Sequence, residues 1–426
     1  MLGLAAITLG ALCALVLLGI PVVISLVASV LMFLAFSGGW AMALPQQVLA
    51  GVGDYLLITL PLFILAGGIM NATGIADRLF DFGAALVGWM RGGLAHVDVA
   101  ASVMFGGMIG TSVADLAGTG SVTIPKLKAH GYPGPFAAAI TATSSGIGVL
   151  IPPSSPMILY SVVTGTSLGA LFLAGVVPGL FLAAVLMVTI SILARRNGWQ
   201  PMNSFEWSRV MRTGVHAILP LGMPAMILGG LVFGIFTATE AGAFAVAYSL
   251  VLAGLVYRTL TLPKLRQALV DSVILTGEVL MVVGFSTALG WALSQSGVPA
   301  ALSSAIDTLV PFESVTVRIF ALLLLALIAG MVLDPLIPMI MPVLLPALLA
   351  MNVDLVHFGV LIVMTVVIGQ VTPPVAIALL VAAKIGKEDV WEVTIANMPF
   401  LYSLFVALII LTLFPALSTT LPALMN

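Results

Sequence analysis

The chain has 426 residues, 61% of them hydrophobic and 7% charged, with 14 basic against 16 acidic side chains for a net charge of −2. Soluble domains carry about 25% charged residues, so this composition excludes a water-soluble core, and the absence of a basic tail or patch gives no footprint for nucleic acid. Apolar runs of about 17–25 residues recur end to end and are continuous rather than alternating, which excludes a transmembrane barrel and leaves an all-α polytopic membrane protein.

In chain order, the pattern predicts membrane spans over 2–18 and 21–37, joined by a tight Gly19-Ile20-Pro21 turn, and a third over 53–70. The first run has no basic flank and no small-residue cleavage site after it, so it reads as a retained span rather than a signal peptide. The single cysteine, Cys13, lies in that run and reads as packing. An amphipathic stretch over 75–91 is expected to lie along the interface. Two short apolar segments, 97–110 and 114–127, lead to a broken crossing over 133–165 and a span over 169–193. After a polar connection, 195–214, come spans over 215–236, 240–257 and 272–293. Two more short segments, 318–333 and 336–350, precede a second broken crossing, 356–383, and a last span, 393–416.

If each pair of short segments is a re-entrant hairpin, 13 of the 14 basic residues fall on one face, with only Arg318 opposite. The positive-inside rule makes that face cytoplasmic and places both termini outside the cytoplasm. Ordinary two-span pairs would give the same sidedness, so the charge count supports the topology without proving re-entrance.

The two broken crossings echo each other. IGVLIPPSSPMILYSVVTG (147–165) aligns without a gap on IGQVTPPVAIALLVAAKIG (368–386), with six identities at an offset of 221. MNATGIADRL (70–79) resembles LSQSGVPAAL (293–302), and Pro125 falls on Pro346 at the same offset. The basic ends of the two copies lie on opposite faces, so the repeat is inverted, a pattern typical of secondary transporters with discontinuous helices.

A Pro-Pro pair removes backbone donors and opens a helical turn. In hydrocarbon an unpaired backbone group costs several kcal/mol, so such a break survives only where it lines an enclosed or wet cavity. Freed carbonyls there can coordinate a cation, and a half-helix N-terminus can face an anion. Small polar residues crowd both breaks: Thr141, Thr143, Ser144, Ser145, Ser154 and Ser155 in the first, Thr365, Gln370 and Thr372 in the second. The hairpin tips carry Thr111, Ser112 and Asp115 on one side and Asp334 on the other. An intramembrane aspartate marks a functional site by default. Asp115 could instead cap the second hairpin arm, and Asp334, just before Pro335, could cap a helix that starts with proline. Oxygen ligands without clustered His or Cys suit a hard cation such as Na⁺ rather than a transition metal. The four histidines have no metal-ligand spacing, and GTSLG (165–169) matches a nucleophile elbow only by chance, lacking its strand–turn–helix context.

FGGMIGTSVADLAGTGSVTIPKLKAHGY followed by TATSSGIGVLIPPSSPMILY resembles the large membrane subunit of a tripartite ATP-independent periplasmic (TRAP) transporter, and PLFILAGGIMNATGIADRL, GGLAHVDVAASVMFGG, GMVLDPLIPMIMP and GQVTPPVA fit the same family. The resemblance implies an inverted-repeat, elevator-type transporter in a bacterial inner membrane, with both termini periplasmic. It implies sodium-driven uptake of an organic acid delivered by a periplasmic binding protein. A small membrane subunit of about four helices is expected as a separate polypeptide. The implied organisation is scaffold or arm over 1–92, a transport half over 93–168, scaffold over 169–311, a second transport half over 312–390, and a C-terminal helix over 391–426. One implied sodium site comprises Thr111, Ser112, Asp115, Ser145 and Gly148; the other comprises Gly330, Asp334, Gly369 and Thr372. Substrate is expected near Ser154, Ser155 and Pro374, and overall resemblance favours sialic acid over a C4-dicarboxylate. Thr111-Ser112 align with Val332-Leu333, so the second site is expected to rely more on backbone carbonyls.

No ATP-binding P-loop occurs, so no ATPase activity is expected of this chain. Two alternatives compete: a one-component sodium–carboxylate symporter that needs no binding protein, and an intramembrane enzyme pairing Asp115 with Asp334.

Overall fold

The structure, a computed structural model, describes residues 1–37, 42–309, 314–333 and 335–425. It is helical throughout, with no strand among the described residues. The first half runs α1 (Leu2–Leu17), α2 (Val22–Ser37), α3 (Ala43–Val52), α4 (Thr59–Ala72) and α5 (Ile75–Val87). A first hairpin follows: α6 (Gly93–Ile109), a turn at Gly110, the short α7 (Ser112–Asp115), a π-helical turn over Leu116–Gly120, and α8 (Ser121–Ala129). The first broken helix is α9 (Gly134–Ser145), α10 (Ile147–Leu150) and α11 (Ser155–Thr164), and α12 (Leu168–Asn197) closes the half. Next come α13 (Trp207–Val232), α14 (Ala238–Val251) and the long α15 (Leu262–Gln295). The second half then repeats the first, with α16 (Val298–Leu309), a hairpin of α17 (Val315–Gly330) and α18 (Ile337–Ala350), and the broken helix α19 (Leu355–Gln370) and α20 (Ile377–Gly386). The last long helix is α21 (Val390–Leu413), followed by the short α22 (Ala416–Thr419).

The 221-residue offset holds at the level of helix boundaries. Gly134, which opens α9, falls on Leu355, which opens α19; the starts of α6, α11 and α12 fall within one residue of those of α17, α20 and α21. The two broken helices are antiparallel. At one end Lys128, in the last turn of α8 ahead of α9, pairs with Glu388 and donates to the Gly386 carbonyl at the end of α20. At the other end the Tyr160 hydroxyl of α11 donates to the Leu355 carbonyl at the start of α19, 2.7 Å away. Lys128, Lys384 and Lys387 therefore gather at one end of the crossed pair, as an inverted repeat requires.

Six described helices are long and apolar enough to cross a bilayer, or seven spans with the pair α9–α10 plus α11, which is bent by 43° at its break. The sequence reading of ten crossings also counted 2–18, 21–37 and 356–383, whose helices have 16 residues or fewer. A 16-residue helix rises about 24 Å, short of a hydrocarbon core of about 30 Å. This is a multi-pass membrane protein. Its largest core lies where α6, α9, α10, α12, α19 and α21 meet, around fully buried Phe105, Tyr160, Phe172, Phe358 and Phe400.

Candidate functional site

The first hairpin presses its tip onto the first broken helix. Gly110 takes a left-handed conformation (φ 71°) that turns the chain, and a side chain there would collide with the Pro153 carbonyl oxygen. Its own carbonyl accepts the Ser155 N–H at 3.1 Å, tying the tip to the reopened helix. Deeper in, Gly106 of α6 meets Gly148 of α10 backbone to backbone; a Cβ on Gly106 would sit 2.5 Å from the Gly148 Cα. Two glycines at that crossing let the hairpin approach closely enough to enclose what lies beside it.

Asp115 lies beside it. The residue is 1% exposed, and neither carboxylate oxygen has a hydrogen-bond partner. A Cβ on Gly148 would lie 3.8 Å from Oδ2, so the carboxylate faces the junction of α9 and α10. The Ser112 and Ser145 hydroxyls are 2.7 Å apart across the same junction. Of the residues expected at the first site, Ser112, Asp115, Ser145 and Gly148 therefore come together, with Thr111 at the head of α7, its carbonyl accepting the Asp115 N–H. Asp115 is not a helix cap: it ends α7, and its side chain reaches no backbone N–H. The π-helical turn that follows it widens the hairpin arm, a distortion common at functional sites.

The second half repeats the contact. A Cβ on Gly369 of α19 would lie 2.9 Å from the Gly330 carbonyl oxygen of α17, so the hairpin again rests on a glycine at the break. The Thr372 hydroxyl donates to the Ile368 carbonyl at 2.6 Å, leaving its lone pairs free. Asp334 lies outside the described residues. Gly330, Gly369 and Thr372 therefore come together where the second hairpin meets the second break.

The residues expected to meet substrate divide. Ser154 is fully buried and caps α11, donating to the Val149 carbonyl and accepting the Met157 N–H, so its hydroxyl is already engaged. Ser155 is half-buried at the first turn of α11, and Pro374 is exposed. Both breaks contain a cis Pro-Pro peptide, Pro152-Pro153 and Pro373-Pro374.

Two residues central to this region were missing from the sequence reading. Asn397, 1% exposed on α21, accepts from the Thr143 hydroxyl of α9 and donates to the Val371 carbonyl at the second break, clamping the two halves together. Asp98 on α6 is fully buried and accepts from the Ser144 hydroxyl at 2.8 Å. Its signal was legible, since an acid in the run GLAHVDVAASV is as costly as Asp115. Asn397 carries no charge, and one amide in an apolar span draws less notice.

Residues 9–417 match the family described as the tripartite ATP-independent periplasmic transporter, DctM component. The chain belongs to that family. It is 36% identical to the sialic acid TRAP transporter large permease protein SiaM of Vibrio cholerae over 407 residues, covering 95% of each chain. It is 33% identical to the C4-dicarboxylate large permease DctM of the same organism, covering 96% of this chain and 95% of that one. The ectoine large permease TeaC of Halomonas elongata is 33% identical, with 95% of each chain covered. Among solved structures, the Alcanivorax borkumensis YdaH transporter has the same fold, with a TM-score of 0.58 at 13% identity and 88% coverage of each chain. As a DctM component the chain is a TRAP large permease subunit, and the family is one of transport permeases.

Proposed function

We propose that this large permease subunit takes up an organic acid anion by coupling to sodium, in an elevator motion that carries the hairpins and broken helices past the helices around them. One observation carries the reading: the Asp115 carboxylate is buried without a partner, between a hairpin and a broken helix rich in hydroxyls. A lone buried carboxylate is costly to keep ionised unless a cation completes it. Asp115, with oxygens drawn from Thr111, Ser112, Ser145 and Gly148, supplies hard-cation ligands of the kind sodium takes. Gly330, Gly369 and Thr372 supply the matching carbonyl-rich set, with Asp334 as its charge. The half-helices α11 and α20 start at the two breaks, and their N-termini favour an anion there.

The organic acid arrives on a periplasmic binding protein, and the chain lies in the bacterial inner membrane with both termini periplasmic. Sialic acid is the first substrate to test, ahead of C4-dicarboxylates, because the relatives quoted above include a sialic acid permease at 36% identity. The test is uptake by proteoliposomes supplied with loaded binding protein and a panel of radiolabelled organic acids. Accumulation of one acid names the cargo; failure of every acid with confirmed loading refutes the organic-acid reading.

A small membrane subunit completes the scaffold, and we place it on α15. That helix is the least buried of the six long spans. Glu278 is exposed on it and makes no hydrogen bond or ion pair among the described residues. It lies 12 residues beyond Arg266, about 18 Å along the helix, and 17 residues before Gln295, about 26 Å. A carboxylate facing lipid at that depth costs about 2.5–3.5 kcal/mol or more. A partner helix that brings a basic or donor side chain removes the cost.

A further inference from the structure

Below the Asp115 junction, the first hairpin contains a second buried acidic site, centred on Asp98. Asp98 is five residues into α6, about 7.5 Å from its start, on the side of the hairpin base that carries Lys126 and Lys128. It is completely buried. Oδ2 accepts from the Ser144 hydroxyl of α9, while Oδ1 has no partner. The Thr123 hydroxyl of α8 and the Thr141 hydroxyl of α9 lie within hydrogen-bonding reach of the carboxylate, while Oδ1 itself makes no bond of good geometry. Ser102, one turn along α6, donates to the Ser144 oxygen at 3.3 Å and also neighbours Asp115.

The hydroxyl protons are largely committed elsewhere. Thr141 donates to the Ala137 carbonyl at 2.9 Å, and Ser102 donates to Ser144. Oxygen lone pairs, rather than protons, are therefore what this cluster offers. One carboxylate among neutral hydroxyls carries a single negative charge and has no nitrogen or sulfur ligand, which suits a hard monovalent cation. Oδ1 is buried and completes no hydrogen bond among the described residues.

We propose that Asp98, with Ser102, Thr123, Thr141 and Ser144, forms a further sodium position in the first half, one step from Asp115 toward the hairpin base. The inference rests on the sodium-coupled reading above and adds a position to it. Ser102 stands between the two carboxylates, so an ion passing from the tip to the base exchanges one set of oxygens for the next without crossing bare hydrocarbon. Holding ions at both positions places two positive charges beside two negative ones.

The test is equilibrium binding of ²²Na⁺ to the full chain, co-purified with its small membrane subunit in lipid nanodiscs, read as ions bound per chain. Asp98→Asn, which keeps the shape and removes the charge, is expected to lower the count by one, as is Asp115→Asn, and the double variant by two. An unchanged count in Asp98→Asn, with Asp115→Asn still losing one, overturns this inference alone and makes Asp98 a neutral acid. No sodium bound by the unmodified complex overturns the sodium-coupled reading and this position with it. If Asp98→Asn is not monodisperse, the Thr141→Val, Ser144→Ala double variant replaces it. The expected result is then at least tenfold weaker sodium binding at one position, and an unchanged isotherm overturns the proposal.

Discussion

Gly148 and Gly369 are 221 positions apart and make the same contact: each lies in a broken helix at the point where a hairpin touches it. A Cβ on Gly148 would sit 3.1 Å from the Gly106 Cα, and one on Gly369 would sit 2.9 Å from the Gly330 carbonyl oxygen. The atoms in the way are backbone in both cases, so they cannot rotate aside.

Alanine at either position should therefore separate hairpin from broken helix. Overpacking of this kind costs about 1–3 kcal/mol. Gly148→Ala and Gly369→Ala should each lower the thermal midpoint and cut uptake by about tenfold or more. Gly10→Ala, where a methyl group meets nothing within 4 Å, should leave both unchanged. Equal behaviour of all three variants would dissociate the glycine contacts from function.

Asp115→Asn should show the opposite pattern. Removing a buried charge that has no partner relieves a desolvation cost instead of breaking a pair. The thermal midpoint in sodium-free buffer should hold or rise, while sodium-dependent uptake falls by about tenfold or more. Loss of folding along with loss of uptake would argue for a structural carboxylate.

Asn397 holds Thr143 in one half and the Val371 carbonyl in the other. Asn397→Leu keeps the branched shape, adds some apolar volume, and leaves both partners buried and unpaired, at a cost of about 1–3 kcal/mol. Differential scanning fluorimetry should register the drop, and Asn397→Ala should lose more because it also leaves a cavity. A midpoint within one degree of the unmodified protein would show that water takes over both bonds.

Glu278 tests the placement of the partner subunit. Glu278→Lys should abolish co-purification of the small subunit, and Glu278→Gln should weaken it while sparing the fold of the large subunit. Undiminished recovery with the lysine variant would move the interface off this face of α15.

The repeat, the amphipathic stretch that became α5 and both broken helices were legible in the sequence because their signals are local: apolar period, paired prolines, a polar cluster. Helix α3 was not. ALPQQVLAGV carries a proline and two glutamines and reads as a connection, yet it packs along α15, where tertiary contact outweighs propensity. Helix α15 begins ten residues before the expected 272 because Pro263 sits in its first turn, where proline suits a helix start. Helix α13 likewise begins at Trp207, inside the expected connection over 195–214, as an amphipathic extension of its span. Ser154 reads in the sequence as a polar side chain at a break, but a break also needs a cap, and the cap engages its hydroxyl. Asp98 and Asp115 were legible as costly charges in apolar runs, but which acids stay unpaired depends on the neighbours the fold brings.

The most direct measurement is uptake of the bound acid by proteoliposomes holding this chain and its small subunit, with an inward sodium gradient present or absent and the binding protein present or absent. The account predicts accumulation only when both are present. Uptake driven by sodium without the binding protein would make this a one-component symporter, and uptake indifferent to the sodium gradient would contradict the role assigned to Asp115.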